Sequence, residues 1–73
     1  MDDQDFLTLA DELLETIEEL SDDTYTKASN FFDSVKEKVD SMAKRVRDGA
    51  PVSQAMGIAL ENMQAGVSRW IDD

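Results

Sequence analysis

The chain has 73 residues and contains neither cysteine nor histidine. Disulfides are therefore excluded, and so are the common zinc sites, which need thiolate or imidazole ligands. A formal net charge of −10 opposes direct contact with nucleic acid or an anionic membrane, because binding phosphate takes lysine and arginine. The same charge favours solubility and attraction to basic surfaces.

This length predicts a single domain. A core of such size seldom contributes more than about 3–5 kcal/mol, so good helix packing or a second subunit has to supply the rest. No segment approaches the roughly 18 consecutive apolar residues of a membrane span. Asp2 and Asp3 stand where a secretory signal would be basic. A cytoplasmic protein is the expectation.

Apolar residues in the first third fall at Phe6, Leu9, Leu13, Ile17 and Leu20, with Ala10 and Leu14 beside them. Steps of three and four are the helix period, and acids fill the opposite arc. Asp2 or Asp3 is suited to cap the N-terminus, where acids also complement the helix dipole. The first helix is predicted over about residues 3–20. Ser21-Asp22-Asp23-Thr24 is a polar break made of capping residues, which ends one helix and opens the next.

The second apolar series is Tyr25, Ala28, Phe32, Val35, Val39, Met42 and Val46. Its steps alternate between three and four, the pattern of a heptad seam, and Phe31 widens one edge. Lys44, Arg45 and Arg47 favour the C-terminal dipole, and Gly49 is a natural stop. One long central helix is predicted over about 23–48. Asp48-Gly49-Ala50-Pro51 is a turn, with proline suited to the first turn of a third helix.

That third helix, over about 51–71, carries the stripe Val52, Met56, Ala59, Leu60, Met63, Val67 and Trp70, joined by Ile71. Gly57 and Gly66 lie inside it, and each costs about 1 kcal/mol relative to alanine. No segment alternates with period two, so no strand is expected. Short connections imply antiparallel neighbours. The predicted architecture is all-α, an antiparallel three-helix bundle with a long central helix, open to dimerisation.

Charge is distributed unevenly. Residues 1–23 hold ten acids and no base; residues 24–50 hold six bases and four acids; residues 51–73 hold three acids and one base. The first helix thus accounts for the whole imbalance. Asp11, Glu15, Glu18 and Asp22 form one row, and Glu12, Glu15 and Glu19 another. Like charges at these steps repel by roughly 0.2–0.5 kcal/mol per pair. Three roles are open to this face. It could solubilise the chain, pair internally with Lys27, Lys38 and Arg45, or bind a basic groove that normally holds DNA or RNA.

The outer side of the third helix has few charges. Gln54, Ala55, Ile58, Asn62, Gln64 and Ala65 occupy it, and Glu61 and Arg69 are its only charges before the terminal acids. Interface cores are depleted in charge, and Ile58 is a natural anchor. Gly57 and Ala65 would permit close approach of another helix. The plain alternative is a tolerated surface of small residues.

The pattern offers little to catalysis. The common general base and the strongest nucleophile are missing. There is no glycine-rich phosphate loop, and no calcium loop. Tyr25, Trp70 and the three phenylalanines fall mostly on core stripes without a basic groove, which argues against a base-stacking platform. A non-enzyme without cofactor or bound metal is expected.

The stretch Phe6-x-x-Leu9-Ala10-Asp11-x-Leu13, continued by Thr16-Ile17-Glu18-Glu19 and Asp22-Asp23, resembles the first helix of bacterial frataxins. The resemblance implies that Asp11, Glu18, Glu19 and Asp22 meet cations, as the acidic ridge of that family meets iron, or basic protein surfaces. It covers under a third of the chain. Frataxins then continue into an antiparallel sheet, whereas this chain continues into helices.

Two functions follow as expectations. In the first, a small inhibitor or regulator of the kind phages and mobile elements encode presses Asp11, Glu12, Glu15, Glu18, Glu19 and Asp22 against a basic, nucleic-acid-binding surface of a larger protein. In the second, a structural or adaptor subunit, homodimeric or bound to another protein, associates through Gln54, Ala55, Ile58, Asn62 and Ala65 and the central heptad seam.

Overall fold

A computed structural model describes residues 2–72. It contains four helices, α1 (Asp3–Glu18), α2 (Asp22–Lys27), α3 (Ser29–Arg47) and α4 (Gln54–Asp72), and no strand among the described residues. The all-α bundle expected from the periodicity is present, with one helix more than expected.

Asp2 is the N-cap of α1: the Asp5 backbone N–H donates to its carboxylate at 2.8 Å. The helix ends at Glu18, two residues before the expected end, and Ser21 caps α2 by accepting from the Thr24 N–H at 3.3 Å. The central helix is not continuous. Ala28 leaves helical geometry (φ −141°, ψ 42°) and separates α2 from α3.

The cause is visible in what the break permits. In a straight helix, Tyr25 and Phe32 would stand about 10.5 Å apart along the axis, and Tyr25 and Lys36 about 16.5 Å. Here the Tyr25 and Phe32 rings stack at 5.6 Å, the Lys36 ammonium lies 5.6 Å from the Tyr25 ring centre, and the Tyr25 hydroxyl donates to Asp33. α2 is folded back onto α3. Thr24, Thr26, Ser29 and Asn30 are weak helix formers that resist little. Tyr25 and Ala28 therefore leave the line of α3, though both still pack half-buried against the core; α3 has 19 residues, as many as α4 and three more than α1, so the central helix is not longer than both its partners.

α3 closes as its sequence implies. Gly49 adopts φ 107°, its N–H donates to Val46, and the Ala50 N–H donates to Arg45, which is the paired Schellman arrangement. Pro51 lies before α4 rather than in its first turn. Ser53 caps that helix instead, its hydroxyl accepting from the Met56 N–H at 3.2 Å.

Arg47 bonds Asp11, and Leu14 and Glu18 share a cleft with Lys36 and Asp40; later residues of α1 thus face earlier residues of α3. Likewise Arg45 and Met42 share a groove with Ala59 and Met63, while Phe31 reaches Gly66. α1, α3 and α4 accordingly run up, down and up. Their core is Phe6, Ala10, Leu13 and Ile17 from α1, Phe32, Val35, Val39, Ala43 and Val46 from α3, and Leu60 and Val67 from α4. Among the described residues no polar or charged side chain is buried. Trp70 and Ile71, expected on the inner stripe, are 41% and 48% exposed. Trp70 still lies edge-on to Phe32 at 6.1 Å between ring centres.

Candidate functional site

Every acid singled out from the sequence is exposed: Asp11, Glu12, Glu15, Glu18, Glu19 and Asp22. They do not make one continuous ridge. Asp22 belongs to α2, so the row through Asp11, Glu15 and Glu18 stops with α1. The remaining acids divide between two flanks of the helix, because successive residues turn by about 100°. Asp11 and Glu18 lie on the side of Leu14, toward α3. Asp5, Glu12 and Glu19 recur every seven residues on the opposite side of the helix from Leu14.

The flanks differ electrostatically. On the α3 side, Asp11 pairs with Arg47 at 3.0 Å, and Glu18 lines a cleft with Lys36. The Arg47–Asp11 pair is the one ion pair among the described residues. Both partners are more than half exposed, so screening holds its contribution to about 0.2–1 kcal/mol. Among the described residues, Lys27, Lys38 and Arg45 form no ion pair with these acids. Lys38 and Arg45 line the groove with Ala59 and Met63 on the far side of α3, and Lys27 is carried off on α2. Asp5, Glu12 and Glu19 are exposed, and none of them has a cation within ion-pair distance among the described residues.

The outward surface of α4 also takes shape. Gln54, Ala55, Ile58, Asn62 and Ala65 are all exposed, and Ile58 is 50% exposed. The two glycines have separate parts. A Cβ on Gly66 would stand 3.0 Å from Phe31 Cζ, so this glycine gives the Phe31 ring a place against α4. The sequence pointed to Gly57 and Ala65 for close approach; within this molecule it is Gly66 that provides it. Gly57 faces open space, in a hollow of about 410 Å³ lined by Val52, Ser53, Gln54, Ile58 and Glu61.

Phe31, Gly66, Arg69 and Trp70 line a second hollow of about 390 Å³. Sequence reading missed this feature, and the spacing of Trp70 four residues after Gly66 was the available signal. Phe31 and Trp70 both lean on the buried Phe32, at 5.4 and 6.1 Å between ring centres.

Among the described residues, no group of three acids is gathered closely enough to hold a metal ion, and no helix is long and apolar enough to cross a membrane. The acids project singly from a convex surface, an arrangement that gives long-range attraction rather than a coordination sphere. The likeness to a frataxin ends with α1, which is followed here by the helices α2–α4 as expected, and not by a sheet, among the described residues. No family model matches the chain, no curated protein is similar to it in sequence, and no solved structure matches it.

Proposed function

We propose that this protein is a non-catalytic binding protein whose α1 carboxylates engage a basic surface of a larger protein, one that otherwise holds nucleic acid. The observation behind this reading is the imbalance itself. Residues 1–23 contain ten acids and no base, and of those acids Asp11 alone has a cation within ion-pair distance among the described residues. Exposed carboxylates repeated along a rod attract basic clefts in the way phosphates do, and the attraction weakens as salt rises.

The test is affinity capture on the immobilised protein from a lysate of its host, with wild type beside a Glu15→Lys/Glu18→Lys variant. The expected result is a set of basic proteins that bind the wild type at low salt, come off with added salt or excess duplex DNA, and fail to bind the variant. Capture that is indifferent to salt, DNA and charge reversal overturns the reading.

A second reading has its own observation. Ile58, Trp70 and Ile71 are exposed on α4, which suits an adaptor or self-associating subunit. Under that reading, Ile58→Asp converts an assembly seen by light scattering into a monomer. A wild-type monomer at high concentration removes self-association.

A further inference from the structure

Bases are scarce in this chain, seven against seventeen acids. With that excess a base is expected to find a carboxylate, and Arg47 does. Lys38 and Arg45 do not, among the described residues. Ser34, Met42, Ser41 and Gly49 stand four positions to either side of them, so α3 supplies no acid at the spacing that pairs best. Asp48 follows Arg45 by three and forms no ion pair with it. Arg45 suits the C-terminal dipole of α3. Lys38, at the middle of the helix, has no such reason.

What the two cations share is the groove between α3 and α4. It holds about 360 Å³, with Met42, Ala59 and Met63 as its apolar lining and Lys38 and Arg45 beside them. Met42 and Met63 are half-buried and packed against the core. Lys38, Ser41 and Arg45 follow at steps of three and four, so they form one row on α3, with the Ser41 hydroxyl between the cations. Glu37, the one acid of the lining, also borders the cleft with Leu14 and Lys36, which puts it on the outer crest of α3. Methionine is unbranched and polarizable and adapts to what lies on it. An apolar floor with a few convergent polar groups, within roughly 300–1,000 Å³, is the make-up of a small-ligand site.

We propose that this groove binds a free single-chain anionic amphiphile such as a fatty acid. The carboxylate sits at the level of Ser41, between the side chains of Lys38 and Arg45, and the acyl chain lies over Met42, Ala59 and Met63. Charge complementarity selects the anion. Size selects a small molecule over a partner helix, because the lining covers about two turns of α3 and one of α4, far short of the roughly 800 Å² a side that a stable protein contact takes. The net charge of −10 opposes an anionic bilayer, which leaves the free amphiphile. The site makes no use of the α1 acids and stands apart from their role.

The experiment titrates sodium dodecanoate, below its micelle concentration, into the full chain and follows methionine methyl and backbone amide resonances. Shifts should centre on Met42, Met63 and Ser41 and leave Ile58 unmoved. Dodecyltrimethylammonium is the control. The net charge of the chain favours that cation, yet dodecanoate is expected to bind the groove roughly tenfold more tightly. Lys38→Gln/Arg45→Gln should lower the dodecanoate affinity roughly tenfold with helicity retained, since glutamine is a good helix former. Lys27→Gln/Lys44→Gln changes the net charge equally and should leave the affinity nearly unchanged, because exposed charges away from the groove are screened. Ala59→Leu, which fills the floor with both cations in place, should weaken binding as well.

Absence of dodecanoate binding, shifts centred elsewhere, equal loss in the two glutamine variants, or tighter binding of the cation at Met42 and Met63 overturns the site. So does co-sedimentation with phosphatidylglycerol vesicles that Lys38→Gln/Arg45→Gln abolishes, because a lipid surface is then the occupant. An acidic, leucine-bearing helical peptide that displaces dodecanoate and binds more tightly overturns it too, in favour of a protein segment.

Discussion

Gly57 and Gly66 lie nine residues apart on one helix, in the same backbone conformation, with opposite surroundings. Gly66 is covered by Phe31, which leans on the buried Phe32 beside Trp70; Gly57 is covered by nothing within the chain. The N-terminal part of α4 is therefore an open surface, while in its C-terminal part an aromatic ring covers the glycine. A residue type that carries the same local penalty in both places thus has a packing reason at Gly66 and none within the chain at Gly57.

The largest expected effect breaks the aromatic corner. Phe32→Ala removes the ring on which Tyr25, Phe31 and Trp70 converge and should cost about 3–5 kcal/mol. That is comparable to what a core of this size supplies, so helicity measured by circular dichroism should collapse near room temperature. Next comes Gly57→Ala, expected to stabilise by about 1 kcal/mol. Thermal melts should show a rise of about 4–8 °C.

Gly66→Ala sharpens the contrast. The same gain in helix propensity is offset there by displacement of Phe31, so the net change should be within about 0.5 kcal/mol. In a Phe31→Ala background the gain should reappear, giving a coupling of about 0.5–1 kcal/mol in a double-mutant cycle. The smallest effect is Arg47→Ala, which frees Asp11 at a cost of about 0.2–1 kcal/mol. Denaturant titration at low and high salt should show that cost shrinking as salt rises.

Much of the bundle was legible from the spacing of apolar residues. Phe6, Leu13 and Ile17 on α1, and Phe32, Val35, Val39 and Val46 on α3, were all read from steps of three and four, and all are buried. Gly49 announced the end of α3, and Ser21 the start of α2. The break at Ala28 was hidden because Tyr25 and Ala28 continue the seven-residue rhythm perfectly well. The contacts that accompany the bent form, Tyr25 with Phe32, Asp33 and Lys36, lie beyond that local pattern. Trp70 was misplaced for a related reason: its spacing fits the inner stripe, but the core ends before it and the ring is left exposed. The exposure of the α1 acids followed from amphipathicity. Their division into two unequal flanks did not, because it depends on which neighbour each side of α1 meets and on where Arg47 and Lys36 fall.

An interior composed wholly of hydrocarbon and aromatic groups has little to say about where along its axis α4 should stop. Oily layers displaced by one turn, about 5.4 Å, would still be oily layers. The Phe31 ring over Gly66 acts as a detent against that slip. Moving α4 one turn in either direction would bring Asn62 or Trp70 beneath the ring, where only a hydrogen fits without displacement. The alignment of the whole of α4 with the rest of the bundle is thus set from its C-terminal end.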